Sequence, residues 1–393
     1  MSSLLPVAEA QSRLLALARP VSSETLPLAA AAGRWAASDV VALRTQPSAD
    51  LSAMDGYAVR FADFPGPFRL IGESAAGRPF LGPVGDGETV RIFTGAAVPA
   101  GADTVLIQEE ATREGETIRL SGEGPRRQGS NLRPRGLDFH EGDRIVAKGD
   151  RLSAARVAVA AIAGHIAMRV NRRIRVAIAA TGDELAPLGT IDPNRLPESN
   201  GVMLAAMLPD LPVEIVDMGV LPDHLETIRD AFAAVQADLI VTSGGASVGD
   251  HDLVRPALEA AGGSIEFWRI ALRPGKPMLA GRIGDALLVG LPGNPVSAFV
   301  TATLFVRPLI AALGGARDPI SQTVSASLAE PLPANDHRAD YLRATLTNGR
   351  VSVASIQDSS MLLTLSRANC LIVRPPHAPA ALVDEIVDIL PLA

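Results

Sequence analysis

Between Arg172 and about Gly315 the apolar positions fall into two alternating textures. Short, nearly continuous apolar runs read as strands buried on both faces: "IRVAIAA" (174–180), "VEIVDMG", "DLIVTSGG", "IEFWRIA" and "DALLVGL". Between them lie stretches with helical spacing: "SNGVMLAAML", "DHLETIRDAFAAV", "HDLVRPALEAAGG" and the long "PVSAFVTATLFVRPLIAAL". The repeated strand–loop–helix order predicts an α/β domain over residues 172–317, a parallel sheet with helices on both sides. Ligands of such sheets sit beyond the carboxyl ends of the strands, in the loops leading to helices.

The flanking segments differ. The first forty residues read as helix, led by "PVAEAQSRLLALA" between Pro6 and Pro20. Residues 46–143 carry short alternating runs ("PFRLIG", "ETVRIF", "DTVLIQEE", "ETIRLSG") between Gly and Pro clusters, a β-rich domain. Helix returns in residues 144–171, where Ser153 is placed to cap the Ala-rich "LSAARVAVAAIAGHIAM". The two helical pieces are compatible with one domain into which the β-rich piece is inserted. Residues 318–393 are strand-like again ("YLRATLTN", "RVSVASI", "CLIVRPP") and fit a small β-barrel.

Composition narrows the classes. The chain has 393 residues, too many for a single ordinary core, and only 4% aromatics, so its cores are built of Ala, Val, Leu and Ile. A net charge of −7 argues against a nucleic-acid partner, though local loops can still bind a small anion. The lone Cys370 excludes an internal disulfide and a cysteine metal cage, and the six histidines are scattered. The start has no basic region followed by an apolar run, and the most apolar tract noted, residues 157–168, is too short to span a bilayer. A cytoplasmic protein with no membrane partner is the expectation.

Candidate chemistry lies in the loops of the α/β segment. "AATGDEL" places Thr181, Gly182 and Glu184 after the first strand. "TSGGASVGDHD" (242–252) brings Ser243, Gly244, Gly245, Ser247 and Gly249 near a helix start at about His251, where free N–H groups suit a phosphate. It carries no cation and ends in Asp250 and Asp252. "LRPGKPM" presents Arg273 and Lys276 in a proline-stiffened loop. "GLPGNPVSAF" offers Pro292, Gly293, Asn294 as N-cap, Pro295 as first helical residue, and Ser297. Each alone can be read as a turn or a helix start, but four such loops on one sheet edge converge in space. In the β-rich segment, Asp55 in "SAMDGYAV" and Thr94 in "IFTGAAVPAGAD" are turn signals by themselves.

Taken together these motifs resemble the molybdopterin molybdenumtransferase family, which also forms the catalytic part of gephyrin. The matching pieces, in order, are "SAMDGYAV", "TGAAVPAGADTV", "GSNLR", "ATGDEL", "SGGASVGDHD", "RPGKP" and "GLPGNPVSA". The resemblance implies four domains: an elongated helical domain (1–45 and 144–171), an inserted β-rich domain (46–143), the α/β molybdopterin-binding domain and a C-terminal β-barrel. It implies a homodimer whose active site lies between the α/β domain of one subunit and the β-rich domain of the other. It implies insertion of molybdenum from molybdate into adenylylated molybdopterin, with Mg²⁺-assisted hydrolysis of the adenylate and release of AMP. Asp55, Thr94, Glu184 and Asp252 would be catalytic, with Glu184 and Asp252 binding Mg²⁺. Asp138, Asp223, Arg269, Arg273, Lys276 and Ser366 would contact substrate, the cations nearest the oxyanions. Arg269 and Arg273 stand where lysines are common in the family, and Leu137 where an acid is usual. The enzyme that adenylylates molybdopterin and the recipient molybdoenzymes are candidate partners. That adenylyltransferase is the rival enzyme, but it resembles the α/β part alone. A non-catalytic scaffold is the rival of another class, and the acids at 55, 184 and 252 disfavour it.

Overall fold

The computed structural model describes residues 4–245 and 252–392. Helix α1 (Val7–Leu17) starts after Pro6 and buries Ala10 and Leu14, one turn apart on a single face. Helix does not continue through residue 40 as expected. Strand β1 (Ser23–Pro27) follows and pairs antiparallel with Ala167–Asn171, Ser23 opposite Asn171.

Six short strands of the β-rich unit come next: β2 (Gly56–Val59), β3 (Phe68–Ser74), β4 (Glu88–Ile92), β5 (Thr104–Ile107), β6 (Ala111–Glu114) and β7 (Thr117–Leu120). They form one sheet in the order β5-β2-β4-β3-β7-β6. The period of two is explicit in β2. Tyr57 and Val59 pack with Phe68, Leu106 and Ile118, while Ala58 turns to Ile92, Ala96 and Val105 on the other face.

Helix α2 (Ala154–Ile162) is capped as expected, the Ser153 hydroxyl accepting from the Arg156 N–H at 3.3 Å. The run read as one helix stops there. Gly164 sits at φ +101°, and the residues beyond it become β8 (Ala167–Asn171), the partner of β1. Segments 140 residues apart in sequence are thus joined through one antiparallel ladder.

The α/β unit contains β9 (Ile174–Thr181), α3 (Asn200–Ala206), β10 (Val213–Leu221), α4 (Leu225–Ala234), β11 (Leu239–Ser243), α5 (Val254–Ala260), β12 (Ser264–Trp268), β13 (Leu279–Ile283), β14 (Ala286–Leu291) and α6 (Pro295–Leu313). The sheet order is β10-β9-β11-β14-β13-β12. Strand β9 shows why the run is continuously apolar. Ile174, Val176 and Ile178 enter one core, and Ala177 and Ala179 enter a second core on the opposite face. Each such fully buried large side chain contributes about 1.5–3 kcal/mol. The wholly parallel sheet of the sequence reading is corrected. β10, β9, β11, β14 and β12 share one direction, and only β13, between β14 and β12, runs antiparallel to its neighbours. The cause is a two-residue hairpin at Gly284–Asp285, with Gly284 at φ +54°, and β13 itself was not foreseen. Helix α6 has the length and mean hydropathy (1.8) of a membrane span, yet 83% of that window is buried inside the protein, so it is a core helix. Its middle, Ala302–Val306, loosens into a π turn.

The C-terminal unit is the expected barrel. Strands β15 (Val324–Leu328), β16 (Ala339–Thr347), β17 (Arg350–Val353), β18 (Cys370–Arg374) and β19 (Ile386–Pro391) run β16-β17-β15-β19-β18 and close back onto β16. Helix α7 (Leu362–Arg367) lies between β17 and β18. Leu272–Arg273 of the α/β unit pairs alongside Ala339–Asp340, tying barrel to sheet.

Candidate active site

The carboxyl ends of β9, β11 and β14 open onto a cleft of about 590 Å³. Of the expected residues, Thr181, Glu184, Ser243, Gly244, Pro292, Gly293, Asn294, Pro295 and Ser297 line it. Gly244 lies at φ +92°, and a Cβ there would fall 2.5 Å from the Thr181 carbonyl oxygen, so only glycine lets β11 turn this close to β9. Gly182 and Gly245 flank the same turn, at φ +147° and +61°. Pro295 takes the first position of α6, but Asn294 does not cap it: its Nδ2 donates to the Ser359 hydroxyl of the barrel at 3.0 Å. Ser247, Gly249 and Asp250 lie outside the described residues. Asp252 is half-buried, two residues before α5.

Several cleft residues were not foreseen. Glu198 is 8% exposed and accepts from the Gly201 N–H at 2.7 Å. Asn200 Nδ2 donates to the Ser243 hydroxyl at 2.6 Å and to the Gly293 carbonyl at 2.7 Å, locking two of the loops together. The sequence signal was present in "PESNG", a helix start with Ser and Asn. Ser360 also lines the cleft from the barrel, and the neighbouring Ser359 carbonyl accepts from the Val296 N–H at 3.1 Å. The buried oxygens Thr181 Oγ1 and Asn200 Oδ1 have no hydrogen-bond partner among the described residues.

Other expected residues are placed elsewhere. Arg273 is committed to the barrel. It forms a fork with Asp340, Nε to Oδ1 at 2.6 Å, and reaches Asp336 at 3.1 Å. The hydrogen bond to Asp340 raises its pKa above the ordinary guanidinium value. These bonds make Arg273 a clamp between the α/β unit and the barrel. Lys276 remains exposed, beside cleft residue Pro277. Arg269 sits at φ +73°, its N–H donating to the Met278 carbonyl at 3.2 Å. Asp223 and Asp183 exchange backbone-to-carboxylate bonds of 3.3 and 3.2 Å, stapling the loops after β9 and β10. Ser366 lies on α7 and donates to the Leu363 carbonyl at 2.9 Å, outside the cleft lining, where the barrel contributes Ser360.

Asp55 and Thr94 form a second, separate cluster on the β-rich sheet. Asp55 Oδ1 accepts from both the backbone N–H and the hydroxyl of Thr94, each at 2.8 Å. The backbone bond first, then the hydroxyl, holds the Asp55 pKa below the usual carboxylate value. Asp138 is exposed, its N–H donating to the Gln46 carbonyl at 3.0 Å. None of the three lines the cleft within one chain. Among the described residues no group of three or more His, Cys, Asp or Glu could hold a metal ion. Among the described residues the cleft lining offers Glu184 and Glu198 as its carboxylates and contains no Lys or Arg.

Glycine-turned loops and a helix start at the carboxyl edge of an α/β sheet, walled on one side by a barrel, define a binding protein for a phosphorylated ligand. Comparison with known proteins sharpens that class. Residues 5–164 match the family description "MoeA N-terminal region (domain I and II)", residues 177–312 "Probable molybdopterin binding domain" and residues 325–392 "MoeA C-terminal region (domain IV)". A molybdopterin molybdenumtransferase of Haemophilus influenzae is 35% identical over 402 residues, covering 99% of this chain and 98% of that one. One from Staphylococcus aureus is 29% identical, covering 98% and 95%. The crystal structure of a molybdopterin biosynthesis MoeA protein from Pyrococcus horikoshii superposes with a TM-score of 0.86 at 27% identity, covering 99% of this chain and all of that one. The chain belongs to the molybdopterin molybdenumtransferase family.

Proposed function

We propose that the protein inserts molybdenum into molybdopterin during molybdenum cofactor biosynthesis, taking molybdate and adenylylated molybdopterin as substrates and releasing AMP. The observation that carries this is the cleft itself, in a chain that aligns end to end with relatives named for that transfer. The dithiolene sulfurs belong to the substrate, so one buried cysteine in the barrel is no obstacle. The glycine turns after β9 and β11 and the start of α6 would take the phosphates.

Mg²⁺ belongs to the same reading. Mg²⁺ is characteristically held by one or two carboxylates together with waters and substrate phosphates, not by an all-protein cage. Glu184 at the cleft and Asp252 at the entry to α5 fit that donor set, which agrees with the absence of a three-acid cluster among the described residues. The ion would supply charge neutralisation on the phosphoanhydride. The chain's own residues orient the substrate: Asn200 fixes the two loops, and Ser297 and Asn294 shape the phosphate end.

The Asp55–Thr94 cluster lies outside the cleft of its own chain, which supports a homodimer in which each β-rich unit completes the other subunit's site. Mixed dimers test both claims. Asp55→Ala and Asp252→Ala are each expected to abolish AMP release. Co-expressed, they are expected to regain it through the one intact composite site. Absence of AMP release from the wild type, supplied with adenylylated molybdopterin, Mg²⁺ and molybdate, overturns the enzymatic reading. Absence of complementation overturns the shared site.

A further inference from the structure

The cleft poses a charge problem. The proposed ligand is an oxyanion, yet among the described residues the lining carries two glutamates and no Lys or Arg; Lys276 stands exposed at its edge, and Arg273 is engaged by the barrel. On the β-rich sheet stands a cation in a different state. Arg91 on β4 projects beside Asp55, and its guanidinium carbon lies 5.1 Å from the Tyr57 ring centroid and 4.9 Å from that of Phe93. Two such rings hold the guanidinium plane at little further cost in side-chain freedom. Nη1 donates to the Gly56 carbonyl at 3.1 Å and Nη2 to Gln108 Oε1 at 2.6 Å. A guanidinium has five N–H donors, so these two bonds leave donors for a ligand. Asp55 Oδ1 accepts from the N–H and hydroxyl of Thr94, and Arg91 acts on Asp55 through its charge, helping to lower its pKa after the two Thr94 hydrogen bonds. Neither Arg91 nor its ring partners line any cavity of their own chain that holds the expected substrate residues.

We propose that Arg91 is a preorganised oxyanion-binding residue, presented together with Asp55 and Thr94 to the cleft of a second copy of the chain. This rests on the composite-site reading above and adds a second source of positive charge to Lys276 at the cleft edge. The planar fork suits a tetrahedral oxyanion, either the phosphate of the adenylate or molybdate, through two parallel N–H donors. Asp55 alone would repel such a ligand; Arg91 beside it makes the face receptive.

The test measures AMP and molybdate binding by calorimetry, and AMP release, for wild type, Arg91→Ala, Arg91→Gln and Arg91→Lys dimers. Removing the charge is expected to weaken at least one oxyanion tenfold or more, in Ala and Gln alike, with Lys recovering part of the loss. Weakening of AMP alone assigns the fork to the phosphate, and of molybdate alone to the metal oxyanion. Gln keeps a polar side chain under the rings and guards against misfolding; its melting temperature should match the wild type. Co-expression supplies a second readout. Arg91→Gln with Asp252→Ala should regain AMP release, whereas Arg91→Gln with Asp55→Ala should not, since both lesions then lie on the same face. Unchanged binding of both oxyanions to Arg91→Gln, with the wild type binding normally, overturns the inference and leaves the enzymatic reading standing. A wild type that binds neither oxyanion overturns the reading beneath it.

Discussion

The Gly244→Ala substitution isolates the turn on which the cleft depends. The residue lies at φ +92°, where an L-side chain is strained by about 1–3 kcal/mol. The new Cβ would sit 2.5 Å from the Thr181 carbonyl oxygen and 3.0 Å from its hydroxyl, and both belong to the buried end of β9. Relieving that overlap costs about 1–3 kcal/mol more, as overpacking does elsewhere. Stiffening of the unfolded chain returns roughly 0.4–1 kcal/mol. The net loss is about 3 kcal/mol, or roughly 6–12 °C in the melting temperature of a unit this size. Gly293→Ala is the matched control across the same cleft. Its φ is ordinary, and the nearest atom to a new Cβ is the Gly244 Cα at 3.8 Å, so stability should stay within about 1 kcal/mol of wild type. Urea unfolding and scanning calorimetry read the difference, and AMP release reads the site. A Gly244→Ala protein as stable and as active as wild type, or indistinguishable from Gly293→Ala, would refute the close-approach argument.

Arg273→Ala should lower stability by about 1–2 kcal/mol, the fork being half open to solvent but its partner Asp340 buried, whereas Lys276→Ala should leave unfolding unchanged and reduce AMP release. Equal effects of the two on unfolding would contradict the division of labour between them. Ser359→Ala, which loses the Asn294 contact, should slow AMP release, while Ser366→Ala should not. The Asp336 carboxyl, pulled down to about 2 first by the Arg338 side chain and then by the Arg338 N–H, should titrate there by carbon NMR. Because its folded pKa is depressed, its contribution to stability is present above the ordinary value of 3.8 and disappears as pH falls through about 2; Arg338→Gln should move the titration upward.

What was legible in the sequence follows from what is local. The strands β9, β11 and β14 are buried on both faces, so their apolar runs announced themselves, and the loops after them carried the glycines and proline that the turns require. The β1–β8 ladder was hidden because its residues, such as "HIAMRVN", continue an Ala-rich helical texture, and only Gly164 marks the break. The fate of Arg273 was hidden for a different reason. A cation in a proline-stiffened loop looks the same whether it awaits a phosphate or an aspartate 67 residues downstream. Asn200 and Ser359 are polar residues of unremarkable context until tertiary structure brings them to Ser243, Gly293 and Asn294. The same logic bears on the charge of the site. The glycine loop "TSGGASVGDHD" carries no cation of its own. An arginine placed among Glu184 and Glu198 would pair with them and spend its donors. Arg91 on a separate sheet, braced by two rings and a glutamine, would in the proposed composite site bring its remaining donors to the ligand already oriented.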